Sequence, residues 1–163
     1  MNDLTPQEVL ALVPQQRPMR FIDEILEIDE EHILTCYTWK EEDCAGHFPG
    51  NPVVPGVKLI EMAAQTGNVA WGIYHMGSKV SPEELKTLVG FFTEVERGLF
   101  KKTVRPGDKV AAQATFGEDG YFRKNKVVST VEIQFMGGPK DGEEIFSCKT
   151  SGLWVPKNLE SLK

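Results

Sequence analysis

The residues best suited to chemistry lie in one segment, residues 46–65, with the sequence GHFPGNPVVPGVKLIEMAAQ. His47 opens a loop that contains three prolines, and Glu61 follows fourteen positions later in an apolar stretch. A histidine titrates near neutral pH and can accept a proton. Burial in apolar surroundings favours the protonated form of a glutamate, which makes Glu61 a candidate general acid. Together they could remove a proton next to a carbonyl group and protonate a departing β-hydroxyl.

The loop between the two residues is stiff and ends where a helix is predicted to begin. Pro49, Pro52 and Pro55 each fix their own φ and push the preceding residue toward extended geometry, so the loop has few conformations. The backbone N–H groups of Gly56 and Val57 fall at the start of the helix, where the helix itself leaves them unpaired and its dipole is positive. They are therefore candidates for binding a developing oxyanion.

The helix that carries Glu61 is predicted to be buried. Between residues 57 and 74 the helix is apolar over nearly its whole circumference, apart from a narrow stripe that contains Glu61, Gln65 and Asn68. The simplest way to bury such a helix is to wrap a sheet around it. Gln65 could satisfy a buried backbone group or help to orient Glu61, and the sequence leaves both open.

The remaining elements are predicted to be one short helix and a set of strands. Thr5, Pro6 and Glu8 have the pattern of a capping box, which predicts a helix that ends near Val13. Residues 20–28 and 32–39 are predicted to form a hairpin, and residues 77–86 a polar link. Later strands are predicted at residues 88–96, 98–104, 109–116, 121–135 and 143–155, separated by turn signals. The fold class is therefore α+β.

The segment HFPGNPVVPGVKLIEMAAQ resembles the signature of the 3-hydroxyacyl-acyl-carrier-protein dehydratases of fatty-acid synthesis, the FabA/FabZ group with the hotdog fold. In that signature a histidine opens H-F-P-G-x-P-x-x-P-G and an acid follows fourteen positions after it. These are His47 and Glu61 here, and Gln65 lies where the family has glutamine. VLALVPQQRPMRFIDEIL and LFKKTVRPGDKV are similar to family elements more loosely, so the resemblance covers roughly residues 6–116.

The resemblance implies an antiparallel sheet wrapped around one central helix and paired into a homodimer, with a trimer of dimers as a larger family assembly. Each site would combine His47 of one subunit with Glu61 of the other. His47 would take the C2 proton of an acyl thioester carried by acyl carrier protein, the Gly56 N–H would polarise the carbonyl, and Glu61 would protonate the leaving hydroxyl. The products would be a trans-2-enoyl thioester and water, with no metal or redox cofactor. A glutamate at position 61 resembles the acid of the general dehydratases, whereas an aspartate is usual at this place in the dual dehydratase/isomerases.

Several positions depart from the family pattern. Lys58 stands where the family is commonly apolar, and an ammonium group folded over Glu61 would favour its carboxylate form. We expect Lys58 to point away. Thr103 replaces a common proline, and the loop MGGPKDGEE and the C-terminal LWVPKNLESLK lengthen the chain, which leaves room for a different acyl substrate.

Composition sets the broader expectations. The 163 residues fit one domain spanning residues 1–163, and 40% hydrophobic with 26% charged residues is typical of a soluble globular protein. The net charge of −6 argues against nucleic acid as a partner. No export signal or membrane segment is expected, and three scattered cysteines fit reduced thiols in a cytoplasm.

Alternatives remain at the level of sequence. A thioesterase or a non-catalytic acyl-binding subunit could share the fold. The C-x-x-H spacing of Cys44 and His47 could suggest zinc, but no second ligand pair is present in the sequence. Phe91, Phe92 and Phe100 could line an acyl tunnel, although core packing is the better default. Four basic residues could dock an acidic carrier protein or simply be solvated: Arg97, Lys101, Lys102 and Arg105.

Overall fold

A computed structural model describes residues 4–158 of the chain. Its strands are β1 (Glu24–Ile28), β2 (His32–Thr38), β3 (Leu88–Phe100), β4 (Lys109–Thr115), β5 (Tyr121–Arg123), β6 (Lys126–Phe135) and β7 (Glu144–Pro156). Its helices are α1 (Pro6–Leu12), a 3-10 turn (Glu41–Cys44), α2 (Gly56–Ala64), a π-helical segment (Gln65–Ala70), α3 (Trp71–Met76) and α4 (Pro82–Leu85). The chain therefore combines one long helical region with an extended sheet.

The strands form one antiparallel sheet in the order β1-β2-β4-β6-β7-β3, with the short β5 paired to β6. The predicted hairpin is present as β1 and β2, with Ile28 opposite Ile33. The prediction of an α+β fold is confirmed. Within the described residues β3 lies at the end of the sheet and pairs only with β7, so its other edge is open.

The central helix runs through α2, the π-helical segment and α3, and the sheet wraps around it. Small residues on the helix permit this close approach. A Cβ on Gly67 would collide with the Ser129 side chain of β6 and would lie 2.9 Å from Cγ2 of Val131. Trp154 of β7 packs against Gly72, and its indole N–H donates to the carbonyl oxygen of Asn68 at 3.2 Å. The predicted buried helix is confirmed, since Met62, Ala63 and Ala70 are fully buried.

The first helix forms as predicted. The Thr5 backbone N–H donates to Oε2 of Glu8 at 2.7 Å, and the Glu8 N–H donates to Oγ1 of Thr5 at 3.2 Å. This is the reciprocal capping box expected from the sequence. The helix ends at Leu12, and Val13 caps it in extended geometry before Pro14.

Several element boundaries differ from the prediction. The first strand begins at Glu24 rather than at residue 20. The strands predicted at 88–96 and 98–104 are one strand, β3, whose register is irregular where Arg97 adopts a φ of 54°. The run 121–135 is instead a hairpin, because a turn at Lys124, with a φ of 56°, separates β5 from β6. The predicted link contains α4, whose first turn is capped by the Ser81 hydroxyl.

Two further predictions concern the ends of the chain and the membrane. The tail LWVPKNLESLK is described only as far as Asn158, so its last five residues lie outside the described part of the chain. Among the described residues, no helix has the length and apolar character needed to cross a membrane.

Candidate active site

The loop that carries His47 is held by its own backbone and by the segment before β4. Phe48 and Asn51 exchange backbone hydrogen bonds at 2.9 Å, and the Val53 N–H donates to the His47 carbonyl at 2.8 Å. The guanidinium of Arg105 donates to Oδ1 of Asn51 at 2.8 Å and to the Pro52 carbonyl at 3.3 Å. The prolines limit the conformations of the loop, and these bonds select one of them.

The hydrogen bonding of His47 fixes the proton on its ring. Nδ1 lies 2.9 Å from the Val53 carbonyl oxygen. A carbonyl oxygen can only accept, so Nδ1 carries the hydrogen and Nε2 is the free basic nitrogen of the neutral ring. The ring stacks on Phe48 with centroids 4.0 Å apart, which further restricts its orientation. The structure thus leaves Nε2 of His47 as the ring nitrogen available to accept a proton.

Glu61 lies on α2 and is held by Gln65, one turn later. Nε2 of Gln65 donates to Oε1 of Glu61 at 2.9 Å and to the Met19 carbonyl at 2.6 Å. Oε1 of Gln65 accepts from the Phe21 N–H at 2.8 Å. These bonds determine which end of the amide is oxygen. Gln65 therefore does both things that the sequence left open: it satisfies backbone groups and orients Glu61.

Lys58 is directed away from Glu61, as expected. Its Nζ donates to the backbone carbonyl of Asp43 at 2.7 Å and lies 5.7 Å from the centroid of the Phe21 ring. The ammonium group thus braces the 3-10 turn that precedes the His47 loop. Although Lys58 departs from the family pattern, its ammonium group bonds to Asp43, and the Glu61 carboxyl group accepts its hydrogen bond from Gln65.

Asp43 is a buried supporting residue that the sequence analysis missed. It is 2% exposed, and its Oδ2 accepts from the Tyr37 hydroxyl at 2.7 Å and from the Lys40 N–H at 3.0 Å. Burial, followed by the hydrogen bond to Asp43, raises the pKa of Tyr37. The neutral phenol is therefore a permanent donor that holds the turn before His47 in place. An aspartate in an acidic run gives no sequence signal for such burial.

The first turn of α2 presents backbone N–H groups. Pro55 precedes it and offers no side-chain acceptor, so the N–H groups of Gly56 and Val57 have no side-chain cap. A Cβ on Gly56 would lie 2.9 Å from Cε1 of Phe100. Glycine at this position therefore allows the aromatic ring to approach the helix start. The side chain of Val57, at the candidate oxyanion site, is 72% exposed, which is a large fraction for an apolar residue.

A cavity of about 240 Å³ adjoins Glu61. It lies between the helix and β3 and is lined by Gln15, Glu61, Ala64, Asn68, Val69, Val89, Gly90, Phe91 and Phe92. Its apolar walls and few polar groups are typical of a small-molecule site. His47 is not among the lining residues, so a single chain does not bring its own His47 and Glu61 into this cavity.

The core-packing default for the three phenylalanines is wrong. Phe91 and Phe92 are 41% and 39% exposed and line the cavity, and Phe100 is 49% exposed. Their strand, β3, lies at the end of the sheet, and among residues 4–158 no further strand pairs with its outer edge. The sequence of β3 does not reveal the exposure of these phenylalanines, because a strand buried on both faces is equally rich in apolar residues.

The four candidate docking residues have different surroundings. Lys101 pairs with Glu144, and Arg97 adjoins a shallow cavity with Asp119 and Lys149. Lys102 and Arg105 border a cavity of about 280 Å³ together with Lys140, Asp108 and Glu143. Only Arg105 also contacts the His47 loop through hydrogen bonds. The structure therefore associates Lys102 and Arg105 with one part of the surface and places Arg97 in another.

Comparison of the sequence with known families identifies one match over most of the chain. Residues 27–133 match the family model of ApeI-like proteins, described as ApeI dehydratase. A 3-hydroxyacyl-[acyl-carrier-protein] dehydratase FabZ of Caldicellulosiruptor saccharolyticus is 35% identical over 153 residues, covering 91% of this chain and 100% of the relative. A FabZ of Streptococcus pyogenes is 37% identical over 112 residues, covering 68% and 75%.

Comparison of the structure gives the same fold at lower sequence identity. A chain of the dehydratase heterocomplex ApeI:P from Xenorhabdus doucetiae matches with a TM-score of 0.73 and 16% identity, covering 98% of this chain and 97% of that one. Thioesterase HI1161 from Haemophilus influenzae matches with a TM-score of 0.64 and 16% identity, covering 94% and 92%. At these identities the likeness concerns the fold alone, and it confirms the predicted hotdog architecture.

Proposed function

Because the chain belongs to the ApeI-like dehydratase family, with FabZ dehydratases among its relatives, we propose that it converts 3-hydroxyacyl thioesters to trans-2-enoyl thioesters and water. The observation that carries this proposal is that the chain holds a base and an acid in fixed orientations, each by its own hydrogen bond. His47 has a free Nε2, fixed by the bond from Nδ1 to the Val53 carbonyl, and Glu61 is oriented by Gln65 beside an apolar cavity. A base and an acid are what the elimination requires.

The reaction assigns one task to each group. Nε2 of His47 removes a proton from C2 of the acyl group, and negative charge develops on the thioester oxygen. The N–H of Gly56, with that of Val57, stabilises this oxygen at the positive end of the helix. The bond from C3 to its hydroxyl then breaks as Glu61 donates its proton, and water leaves. Gln65 is a positioning residue, since it contacts Glu61 rather than the substrate.

The site is proposed to form between two copies of the chain. The cavity next to Glu61 is walled by β3, which lies at the open edge of the sheet, and it lacks His47. Apolar side chains are exposed along the same strand, including Val95 at 40% and Leu99 at 53%. A second copy that covers this edge would bury these side chains and bring His47 of the partner subunit to Glu61. The assembly is therefore a homodimer of one-domain chains, with a trimer of dimers as the larger form suggested by the family.

The natural substrate is proposed to arrive on acyl carrier protein. Lys102 and Arg105 border one cavity, and Arg105 also bonds to the His47 loop, so an acidic carrier bound there would lie close to the catalytic base. Lys101 and Arg97 already have acidic neighbours, Glu144 and Asp119, so we assign them a smaller part in carrier docking. The three free cysteines are all buried, which suits a reducing cytoplasm.

The proposal is tested with purified protein and a short 3-hydroxyacyl carrier thioester, with enoyl formation followed by mass. His47→Ala and Glu61→Gln should each lower turnover about 10²-fold or more, because each removes one proton-transfer group. Matched controls are His32→Ala, on the β1–β2 hairpin, and Glu83→Gln, on the exposed face of α4, which should leave turnover unchanged.

The product distinguishes the candidate functions. Dehydration gives an enoyl thioester, hydrolysis releases free thiol, and a binding subunit gives neither. If the His47→Ala and Glu61→Gln variants both turn over substrate at the wild-type rate, the assigned roles are refuted. Release of free thiol without an enoyl product would instead make the chain a thioesterase.

A further inference from the structure

Two residues that line the cavity beside Glu61 each have a buried polar atom that the proposed dehydration does not use. Nδ2 of Asn68 and Oε1 of Gln15 are both buried, and neither has a hydrogen-bond partner among residues 4–158. Both residues line this cavity, whose other walls are mainly apolar. A buried polar group without a partner is destabilising, so such groups in a native protein call for an explanation.

Asn68 is held so that its amide nitrogen is the free atom. The residue is 3% exposed and lies in the π-helical segment. Its Oδ1 accepts a hydrogen bond from Oγ1 of Thr150 at 3.2 Å, and Thr150 in turn lies 3.1 Å from Oγ of Ser129. A Cβ on Gly152 would lie 3.1 Å from Cβ of Asn68, so β7 closes over the residue. Residues of β7 therefore hold the oxygen side of the Asn68 amide, and its N–H₂ group remains as an unpaired donor.

Gln15 supplies the complementary group from another element. It follows α1 and lines the same cavity, so a residue with an unpaired acceptor oxygen and a residue with an unpaired donor nitrogen border one space. They do not bond to each other within the structure. A group that accepts from Asn68 and donates to Gln15 would satisfy both, and a hydroxyl does this with a single oxygen.

We propose that the cavity selects acyl chains that carry a second hydroxyl group beyond the reacting carbons, bound between Asn68 and Gln15. This specificity rests on the proposed dehydratase function, since it concerns the acyl chain of the same substrate. Asn68 lies seven residues after Glu61, or about 10 Å further along a helix at 1.5 Å per residue. The second hydroxyl is therefore several carbons beyond C3 and is distinct from the hydroxyl that leaves.

The test compares pairs of 3-hydroxyacyl thioesters over a series of chain lengths, each with and without a terminal hydroxyl. For the wild type we expect kcat/KM to be about tenfold higher for the hydroxylated chain at the length that fits, as expected for a bond that satisfies buried polar groups. Gln15→Met removes the acceptor at nearly constant size and should bring this ratio close to one. Asn68→Leu removes the donor and should do the same.

Gln16→Met is the matched control. Gln16 is exposed, does not line the cavity and donates to the Val13 carbonyl at 3.4 Å, so its replacement should keep the tenfold ratio. A wild-type ratio of one or below at every chain length would overturn the proposal and would mean that water fills the gap between the two amides. A ratio that persists in both cavity variants would overturn it as well.

A binding measurement separates this proposal from the proposed function. Acyl pantetheine amides, which do not react, are compared with and without the terminal hydroxyl by the shift in the melting temperature of the full chain. A larger shift for the hydroxylated ligand, lost in Gln15→Met and kept in Gln16→Met, would support the selectivity even if no turnover were found. Equal shifts for both ligands would refute it even in an active dehydratase.

Discussion

At the scale of single residues, Gln65 forms hydrogen bonds both to the backbone before β1 and to the proposed acid, Glu61. It is fully buried, and its amide bonds to the backbone of Met19 and Phe21 and to the carboxyl group of Glu61. One side chain thus fixes the segment before β1 and the direction in which Glu61 points, so its role in stability and its role in positioning are coupled.

We expect Gln65→Met to lower both stability and turnover. The free energy of unfolding should fall by about 3 kcal/mol, because the buried N–H of Phe21 and the carbonyl of Met19 lose their partner. Denaturant unfolding measures this loss. Among the folded molecules kcat should fall more than KM rises, since Glu61 loses orientation rather than substrate contact.

Gln16→Met is the control for stability, because Gln16 is exposed. Its free energy of unfolding should stay within about 0.5 kcal/mol of the wild type. A Gln65→Met protein with wild-type kcat would show that Glu61 is held by other means. A wild-type free energy of unfolding would contradict the buried hydrogen-bond account.

At the scale of elements, the end of the central helix is closed by an aromatic cluster around His75. The imidazole lies 5.0 Å from the Trp71 ring, 5.4 Å from Phe116 and 5.2 Å from Phe122, measured between centroids. Its Nε2 is buried without a partner among the described residues. Burial, followed by the charge of Lys79, lowers the pKa of His75 to about 4 from an ordinary value of 6.5.

This cluster predicts a loss of stability in acid. Between pH 6.5 and about 4 the unfolded chain binds a proton at His75 that the folded chain does not bind. The free energy of unfolding therefore falls as the pH drops through this range. His75→Phe should flatten the fall, and unfolding experiments at a series of pH values between 4 and 8 would measure it.

His32 provides a control of opposite sign. Its hydrogen bond to Glu27 is the largest influence and raises its pKa, so its contribution is present below the unfolded value of 6.5 and is lost as the pH rises through the folded value. His32→Gln should therefore alter the pH dependence above pH 6.5 and should not flatten the fall between pH 6.5 and 4. An acid limb in His75→Phe as steep as in the wild type would show that other groups drive the transition.

At the scale of the whole molecule, the open edge of the sheet determines whether the site is complete. β3 is paired on one side by β7, and exposed apolar side chains follow its length. An unpaired apolar edge invites association with another chain. The same strand lines the cavity next to Glu61, so the proposed assembly and the proposed catalysis would both depend on one element.

We expect Leu99→Glu to prevent formation of the proposed dimer and to abolish turnover. Leu99 is 53% exposed in the single chain and would be buried beside its counterpart, where a charge is unfavourable. Analytical ultracentrifugation gives the mass, and the enoyl assay gives the activity. Tyr121→Glu is the matched control, because Tyr121 is 36% exposed on β5, away from this edge, and should leave the dimer active. An active monomer would contradict the shared site.

Much of this protein could be predicted from sequence because the relevant signals are local. The capping box of Thr5 and Glu8, the Gly/Pro loop after His47 and the apolar helix around Glu61 are short-range patterns with a direct physical cause. They sufficed to predict the α+β class, the buried helix and the family. The direction of Lys58 was also expected, because an ammonium group folded over Glu61 would favour the carboxylate form and oppose a role as acid.

The tertiary structure decided what depends on neighbours distant in the sequence. Whether Phe91 and Phe92 lie in the core depends on β3 being an edge strand, which no local pattern specifies. The three partners of Gln65 come from two separate segments, and Asn68 and Gln15, which are 53 positions apart, line one cavity only in the folded chain. Sequence thus determined which residues could do chemistry, whereas the three-dimensional packing decided which of them share a cavity, because side-chain contacts are set by strand order and burial.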